Sequence, residues 1–105
     1  MHPAATYVCT EGPRFETPAE IRMFERLGGD LVGMTGLPEV VLAREAGICY
    51  ISLCVVTNFA AGVSAGPLTE GEVTELMNER VSHLRDLILR LVEHMDAPWV
   101  CRCRG

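Results

Sequence analysis

Two apolar segments of the sequence run into side chains that could bind a small molecule. The first, at residues 31–32, leads into Met34 and Thr35. The second, at residues 48–56, leads into Asn58. In α/β folds, side chains just past the carboxyl end of a strand lie in the crevice where ligands bind. If the two segments are neighbouring parallel strands, these three side chains share one rim of the sheet, and the sequence predicts one small-molecule site there.

A loop and a helix start precede these segments. Residues 6–10 are β-branched and aromatic and predict a strand, which the Gly and Pro of residues 11–14 interrupt. Thr17 is followed by Pro18 and then by Glu20, the pattern of a capping box with proline at the first helical position. The pattern predicts a helix that runs to Leu27 and is stopped by Gly28-Gly29. Its core-facing residues are expected to be Ile21, Phe24 and Leu27.

The rest of the chain alternates strand and helix. The predicted elements are a strand, a helix, a strand and a helix at about 30–34, 38–46, 49–57 and 69–95. The strand at 49–57 is apolar on both faces and is expected to be a central strand. Thr69 with Glu72 predicts a capping box for the last helix. The helix at 38–46 is apolar on nearly all sides, which favours packing against other protein. The order predicts an α/β fold with a mostly parallel sheet and flanking helices.

Composition excludes several functional classes. The chain has 105 residues, enough for at most one small domain, and 49% of them are apolar. A net charge of -5 argues against a nucleic-acid partner, which normally needs clustered Lys and Arg. The apolar run at 48–56 is too short to cross a membrane as a helix, and no signal-peptide pattern precedes it. The sequence predicts a soluble cytoplasmic protein.

The cysteines and histidines predict no metal site. Cys9, Cys49 and Cys54 lie in strand-like stretches and are expected to be reduced, small and buried. Cys101 and Cys103 form Cys-x-Cys in a basic tail, without partners at metal-ligand spacing. The three histidines fall outside any motif and are expected at the surface or in packing positions; they are His2, His83 and His94.

Four motifs, in this order, resemble the trimeric purine nucleoside phosphorylase family. They are Glu11-Gly12-Pro13-Arg14-Phe15-Glu16-Thr17, Gly33-Met34-Thr35, Pro38-Glu39-Val40-Val41-Leu42-Ala43-Arg44-Glu45 and Val56-Thr57-Asn58. The resemblance is greatest to the methylthioadenosine and methylthioinosine phosphorylases and covers about residues 6–95. It implies a phosphorylase/hydrolase-like fold and phosphorolysis of a purine nucleoside. Phosphate is then a co-substrate, and no metal or organic cofactor takes part.

The resemblance also implies a role for each matching residue. Phe15 would lie against the base, and Glu16 would bind its N1 edge. Asn58 would act on the N7 and O6 edge as the leaving purine takes up charge. Met34 would line the sugar, and Thr35 would donate its hydroxyl to phosphate. Glu39 and Arg44 are expected to pair with neighbouring groups.

Taken singly, each of these residues has another interpretation. Phe15 and Met34 could simply fill the core, and Glu16 could be a solvated charge near a helix start. Thr35 could be a helix cap, and Asn58 a turn residue. The order of the motifs favours the binding roles, above all for Glu16, Met34, Thr35 and Asn58.

Asn58 and Glu16 together predict which base is preferred. An amide can donate to O6 of a 6-oxopurine and accept from a protonated N7, while a carboxylate accepts from its N1–H. Adenine offers an amino donor in place of O6 and no proton at N1. Methylthioadenosine-specific relatives carry Asp at the position of Asn58, so the sequence predicts a 6-oxopurine nucleoside such as 5'-methylthioinosine.

The resemblance predicts that residues 6–95 are the carboxyl-terminal half of such a domain, with a ragged start at 1–5 and a tail without recognised structure at 96–105. Family members are more than twice this length, and their amino-terminal half carries a glycine-rich phosphate loop and a phosphate-binding arginine and histidine. The chain alone is therefore expected to have little activity and to form a homo-oligomer, which in the family is a trimer. The alternatives are a non-catalytic remnant that only folds or self-associates, or a methylthioadenosine-specific phosphorylase.

Overall fold

The computed structural model describes residues 4–64 and 70–95. Its elements in chain order are β1 (Tyr7–Cys9), α1 (Pro18–Arg26), β2 (Leu31–Gly33), α2 (Leu37–Glu45) and α3 (Glu70–Glu93). The α/β class expected from the sequence is confirmed. Contacts divide the chain into two compact units, Met1–Ser52 with Phe59–Leu68, and Leu53–Asn58 with Thr69–Gly105. The sheet, α1 and α2 belong to the first unit, and α3 belongs to the second.

The sheet of the first unit pairs β1 with β2 in parallel. Tyr7 lies opposite Leu31, and Cys9 lies opposite Gly33. One further bond extends the pairing, because the Thr10 N–H donates to the Gly33 carbonyl at 2.8 Å. Both strands therefore end at the same edge, which we call the carboxyl edge. The segments that follow them, from Thr10 and from residue 34, leave the sheet there.

The start of α1 is the capping box expected from the sequence. The Thr17 hydroxyl accepts from the Glu20 N–H, and the Glu20 carboxylate accepts from the Thr17 N–H at 2.7 Å. These bonds satisfy two amide groups that the helix itself leaves without partners. The start of α1 at Thr17 is thereby stabilised by its own first turn.

The end of α1 also follows the prediction, but one core residue does not. Gly28 has a φ of +87°, a conformation that favours glycine, and it follows the last turn. A β-carbon at Gly29 would stand 2.6 Å from the Val8 side chain, so the chain passes very close to β1. Phe24 is half-buried, whereas Leu27 is 78% exposed. The prediction that Leu27 faces a core is wrong in this structure, where Leu27 is the exposed C-cap residue of α1.

Helix α2 begins and ends one residue earlier than the predicted range of 38–46. Gly47, with a φ of +66°, follows it as expected. The predicted packing of α2 against other protein is not seen within the described residues. Its apolar side chains are exposed instead, including Val40, Val41 and Leu42.

The predicted central strand at 49–57 is not formed. Within residues 4–64 and 70–95 the sheet has two strands, and residues 49–57 pair with neither of them. A strand requires backbone hydrogen bonds to a neighbouring strand, which an apolar sequence alone does not supply. Ile51 and Val56 are 83% and 61% exposed. The expected shared rim of Met34, Thr35 and Asn58 depended on this strand, and the described sheet gives it no support.

The expected buried core is absent from the described part of the chain. No residue there falls in the buried class. The prediction of buried cysteines is wrong in the same way, because Cys49 and Cys54 are exposed and Cys9 is only partly buried. None of the three is in a disulfide within the described residues. A two-stranded sheet with two short helices is too small to enclose side chains on every side.

Helix α3 covers most of the predicted range of 69–95. Leu76, Met77, Leu84 and Leu87 are half-buried, as one face of an amphipathic helix requires. Val81 and Val92, at the same helical spacing, are 53% and 64% exposed, so this apolar face is only partly covered. The Thr69–Glu72 capping box and the tail with Cys101 and Cys103 lie outside the residues whose placement is described, as does His2. His83 and His94 are exposed, as expected.

None of the helices in the described ranges combines the length and the hydropathy needed to cross a membrane.

Candidate functional site

Glu16 is held at the carboxyl edge of the sheet by Thr10. The Thr10 hydroxyl donates to one oxygen of the Glu16 carboxylate at 2.5 Å, and both residues are partly buried. The Thr10 hydroxyl is also 3.4 Å from the Gly33 carbonyl oxygen. Glu16 is thus not the freely solvated charge of the simpler interpretation. It is a carboxylate held by a hydrogen bond from the residue that follows β1.

Met34 lies against the loop that carries Glu16. A β-carbon at Gly12 would stand 2.8 Å from the Met34 sulfur. Gly12 has a φ of +70°, which favours glycine for a second reason. The loop after β1 and the turn after β2 are therefore in contact, as a common site would require.

Phe15 lies next to Glu16 with its ring accessible. Its side chain is 51% exposed, so the alternative in which it fills the core is wrong here. An exposed aromatic face is a suitable platform for a flat heterocycle. The Phe15 carbonyl accepts from Arg14 at 3.0 Å, which fixes its backbone.

Arg14 fastens the loop to the first turn of α1. Its guanidinium makes two hydrogen bonds to the Glu20 carboxylate, at 2.9 and 2.8 Å. The hydrogen bond from Arg14, followed by those from the Thr17 backbone and hydroxyl, lowers the pKa of Glu20 from 4.5 to about 2. Glu20 in turn raises the pKa of Arg14. The loop that carries Phe15 and Glu16 is therefore held at both ends, by Thr10 on the sheet and by Arg14 on the helix.

Thr35 precedes α2 but does not cap it. Gly36 is the N-cap residue, and no side chain makes the capping hydrogen bond. The helix-cap interpretation of Thr35 is therefore wrong. Its side chain is exposed and makes no hydrogen bond to the described residues. An uncapped helix start offers N–H donors and partial positive charge next to this hydroxyl, which favours an anion.

Asn58 belongs to the second compact unit, whereas Phe15, Glu16, Met34 and Thr35 belong to the first. Its side chain is exposed, and its amide oxygen accepts from the Thr57 hydroxyl at 2.7 Å. That bond orients the amide group. The structure thus brings four of the five expected site residues into one unit.

Glu39 has a partner that the sequence did not identify. The Tyr50 hydroxyl donates to its carboxylate at 3.1 Å. This hydrogen bond, followed by desolvation and the charge of Glu39, raises the pKa of Tyr50. The expected pairing of Glu39 with a neighbouring group is confirmed, although both residues are exposed. The bond ties the segment at residue 50 to α2.

Sequence reasoning missed several supporting residues at the carboxyl edge. The sequence pattern predicts Thr10 only as the last residue of a strand, although it follows β1 as Thr35 follows β2. The Tyr7 ring lies over the turn after β2, since a β-carbon at Gly36 would be 3.0 Å from it and one at Gly33 would overlap its hydroxyl. Any residue other than glycine at these two positions would require the Tyr7 ring to move. No cluster of three potential metal ligands occurs within the described ranges.

Comparisons with known proteins give a consistent result. Residues 1–93 match the model of the phosphorylase superfamily. The chain is 56% identical over 102 residues to a probable 6-oxopurine nucleoside phosphorylase of Moorella thermoacetica. The matched region covers 97% of this chain and 39% of that protein. It is 56% identical over 98 residues to a probable S-methyl-5'-thioinosine phosphorylase of Methanothermobacter thermautotrophicus, covering 93% and 35%.

A solved structure is also similar. Methylthioadenosine phosphorylase from Schistosoma mansoni in complex with adenine matches with a TM-score of 0.77 and 36% identity, over 88% of this chain and 34% of that one. The chain spans less than two fifths of the length of the curated relatives that it matches.

Proposed function

The chain belongs to the phosphorylase superfamily, and from that premise we propose that it forms the purine-recognising part of a 6-oxopurine nucleoside phosphorylase site. The proposed reaction is phosphorolysis of the N-glycosidic bond of 5'-methylthioinosine or a similar nucleoside, a pentosyl transfer that gives free purine and sugar 1-phosphate. The two relatives at 56% identity carry names for this chemistry, one as a 6-oxopurine and one as a methylthioinosine phosphorylase.

The fixed carboxylate of Glu16 is the observation that carries the proposal. One of its oxygens is occupied by the Thr10 hydroxyl, and the accessible ring of Phe15 lies next to it in sequence. A carboxylate can only accept hydrogen bonds, and a 6-oxopurine has a proton at N1 to donate. Adenine has a lone pair at N1, which would face the negative charge. Glu16 therefore favours hypoxanthine-type and guanine-type bases.

The other roles are proposed on the same basis. Met34, in contact with the loop at Gly12, would line the sugar. Thr35, with the uncapped start of α2, would bind phosphate. Asn58, whose amide is oriented by Thr57, would hold the N7 and O6 edge of the leaving base. Thr35 and the start of α2 are the phosphate ligands that we propose among the described residues, so we expect the chain alone to bind purine better than it turns nucleoside over.

Calorimetry with hypoxanthine and adenine tests the proposal on the chain itself. We expect hypoxanthine to bind at least about 100-fold more tightly, since a site that matches one hydrogen-bond pattern rejects the other strongly. Glu16→Gln should remove most of this preference, because the amide can donate to the adenine N1. Glu25→Gln, in the last turn of α1, should leave the preference for hypoxanthine unchanged. Equal binding of both bases by the wild-type chain would contradict the proposal.

A second candidate is a unit that only self-associates. The exposed apolar side chains of α2 favour it, because surfaces of this kind normally face other protein. The calorimetric result separates the two, since a self-associating unit without a site would bind neither base. A third candidate is a methylthioadenosine-specific enzyme, as in the similar Schistosoma protein in complex with adenine. Such an enzyme would instead bind adenine more tightly than hypoxanthine.

A further inference from the structure

We propose that Thr10 is a positioning residue that holds the Glu16 carboxylate in the orientation needed to read the N1 edge of the base. This inference deepens the proposed function and rests on it. The bond between the Thr10 hydroxyl and the Glu16 carboxylate joins two residues that are six positions apart and separated by a loop.

Thr10 is itself firmly placed. Its N–H donates to the Gly33 carbonyl at 2.8 Å, which extends the pairing of β1 and β2 by one bond. Threonine is branched at Cβ, so few rotamers are available to its hydroxyl. The donor is therefore fixed relative to the sheet rather than to the loop.

The hydroxyl has one proton and two acceptors within reach. The Glu16 oxygen is at 2.5 Å and the Gly33 carbonyl at 3.4 Å, and the first has the better geometry and a negative charge. The bond occupies one oxygen of the carboxylate. The second oxygen makes no hydrogen bond to the described residues, so it remains available to a ligand.

This arrangement serves recognition in a particular way. A glutamate side chain has several rotatable bonds and loses that freedom when it binds a base in one orientation. If Thr10 has already fixed the carboxylate, the Glu16 side chain loses less conformational freedom when a base binds. The resulting gain in affinity applies to a base that donates a hydrogen bond from N1. Thr10 thus contributes to the choice of base without touching it.

The first test compares Thr10→Val, which keeps the shape and removes the hydroxyl, with Thr10→Ser, which keeps the hydroxyl. We expect Thr10→Val to weaken hypoxanthine binding by about 10-fold, the scale of one charged hydrogen bond, and to leave adenine unchanged. Thr10→Ser should stay within about 3-fold of the wild-type chain, since one hydroxyl replaces another. Thr6→Val, just before β1, is the matched control and should have no effect. Equal weakening of both bases by Thr10→Val would show a general loss of structure and overturn the proposal.

The second test does not depend on base binding. In carbon NMR spectra at a fixed neutral pH, Glu16→Gln identifies the Glu16 carboxyl signal of the free chain. Thr10→Val should shift that signal, and Thr10→Ser and Thr6→Val should not. An unmoved signal in Thr10→Val would overturn the proposal. A signal that moves in a chain that binds neither base would support the positioning by Thr10 and contradict the proposed function.

Discussion

Gly12 and Met34 are in direct contact across the carboxyl edge of the sheet. A β-carbon at Gly12 would stand 2.8 Å from the Met34 sulfur, closer than two such atoms normally approach. The contact joins the loop after β1 to the turn after β2. It therefore couples the segment that carries Phe15 and Glu16 to the residue proposed to line the sugar.

The first prediction concerns Gly12→Ala. The substitution places a non-glycine residue at a φ of +70°, and it brings the new methyl group against the Met34 side chain. A non-glycine residue in this conformation costs about 1–2 kcal/mol of folding free energy. The Met34 sulfur lies near the end of a flexible side chain, so it should move aside at little further cost. We expect a loss of about 1–2 kcal/mol in urea unfolding, together with a shifted methyl signal of Met34 in NMR spectra.

Gly47→Ala is the matched control for that experiment. Gly47 also has a positive φ, of +66°, but a β-carbon there would meet nothing within 4 Å. Its loss of stability should be similar, and the Met34 signal should stay in place. If Gly47→Ala also displaced Met34, or if Gly12→Ala did not, the contact between Gly12 and Met34 would not exist in solution.

The parts of the structure that depend on neighbours in sequence were predictable. The Thr17–Glu20 capping box joins residues three apart, and its pattern specifies both hydrogen bonds. The glycines after α1 and α2 have positive φ, as their positions implied. Local chemistry is sufficient in these cases, because the partners are always within reach.

The parts that depend on distant partners were not predictable in the same way. Residues 49–57 have the apolar pattern of a central strand, but a strand forms only by pairing with another. Within the described ranges they pair with neither strand of the sheet. The bond from Thr10 to Glu16 was missed because it depends on the path of the intervening loop. The proposed site residues of the first unit came from the family resemblance, since Phe15 or Thr35 alone had an ordinary alternative.

The second prediction concerns stability in acid. The hydrogen bond from Arg14, with those from Thr17, lowers the pKa of Glu20 from 4.5 to about 2. A lowered pKa stabilises the fold while the group is ionised in both states, and this contribution is lost as pH falls from about 4.5 towards 2. The urea midpoint of the wild-type chain should therefore fall across this range more steeply than that of Glu20→Gln. Gln can still complete the capping box, so the comparison isolates the charge.

Glu25→Gln controls for the general effect of removing a carboxylate from α1. Glu25 makes no ion pair within residues 4–64 and 70–95, so its substitution should leave the acid dependence close to that of the wild-type chain. Added salt should shrink the difference between wild type and Glu20→Gln, because the Arg14 side chain is 65% exposed. Parallel acid curves for wild type and Glu20→Gln would mean that the Arg14–Glu20 pair does not persist in solution.

The third prediction is self-association. Leu42, on α2, is 63% exposed, and the apolar side chains near it are exposed as well. Burying one leucine side chain is worth about 1.5–3 kcal/mol, so association through this helix should be favourable. Sedimentation should show an oligomer at micromolar concentration. Leu42→Asp should raise the dissociation constant by about 10-fold or more, the equivalent of at least 1.4 kcal/mol.

Asn78→Asp adds the same charge on α3 and is the matched control. Asn78 is exposed and polar, so the change removes no apolar surface. It should leave the dissociation constant nearly unchanged. A monomer at all concentrations, or an equal effect of both substitutions, would show that α2 is not an association surface.

The fourth prediction is that Asn58→Asp shifts base preference towards adenine. The Asn58 amide oxygen accepts from the Thr57 hydroxyl at 2.7 Å. The other end is then an N–H₂ group, a donor that matches O6 of hypoxanthine and opposes the amino group of adenine. An aspartate accepts from that amino group, and when protonated it can donate to N7. Replacing one matched bond by a mismatch should weaken hypoxanthine binding by about 100-fold and strengthen adenine binding by about 10-fold.

Competitive binding of the two bases to Asn58→Asp measures the change, and Asn78→Asp again controls for charge. Adenine binding as tightly as hypoxanthine with Asn58 in place would contradict the assignment. An unchanged ratio in Asn58→Asp would show that the base does not meet this side chain.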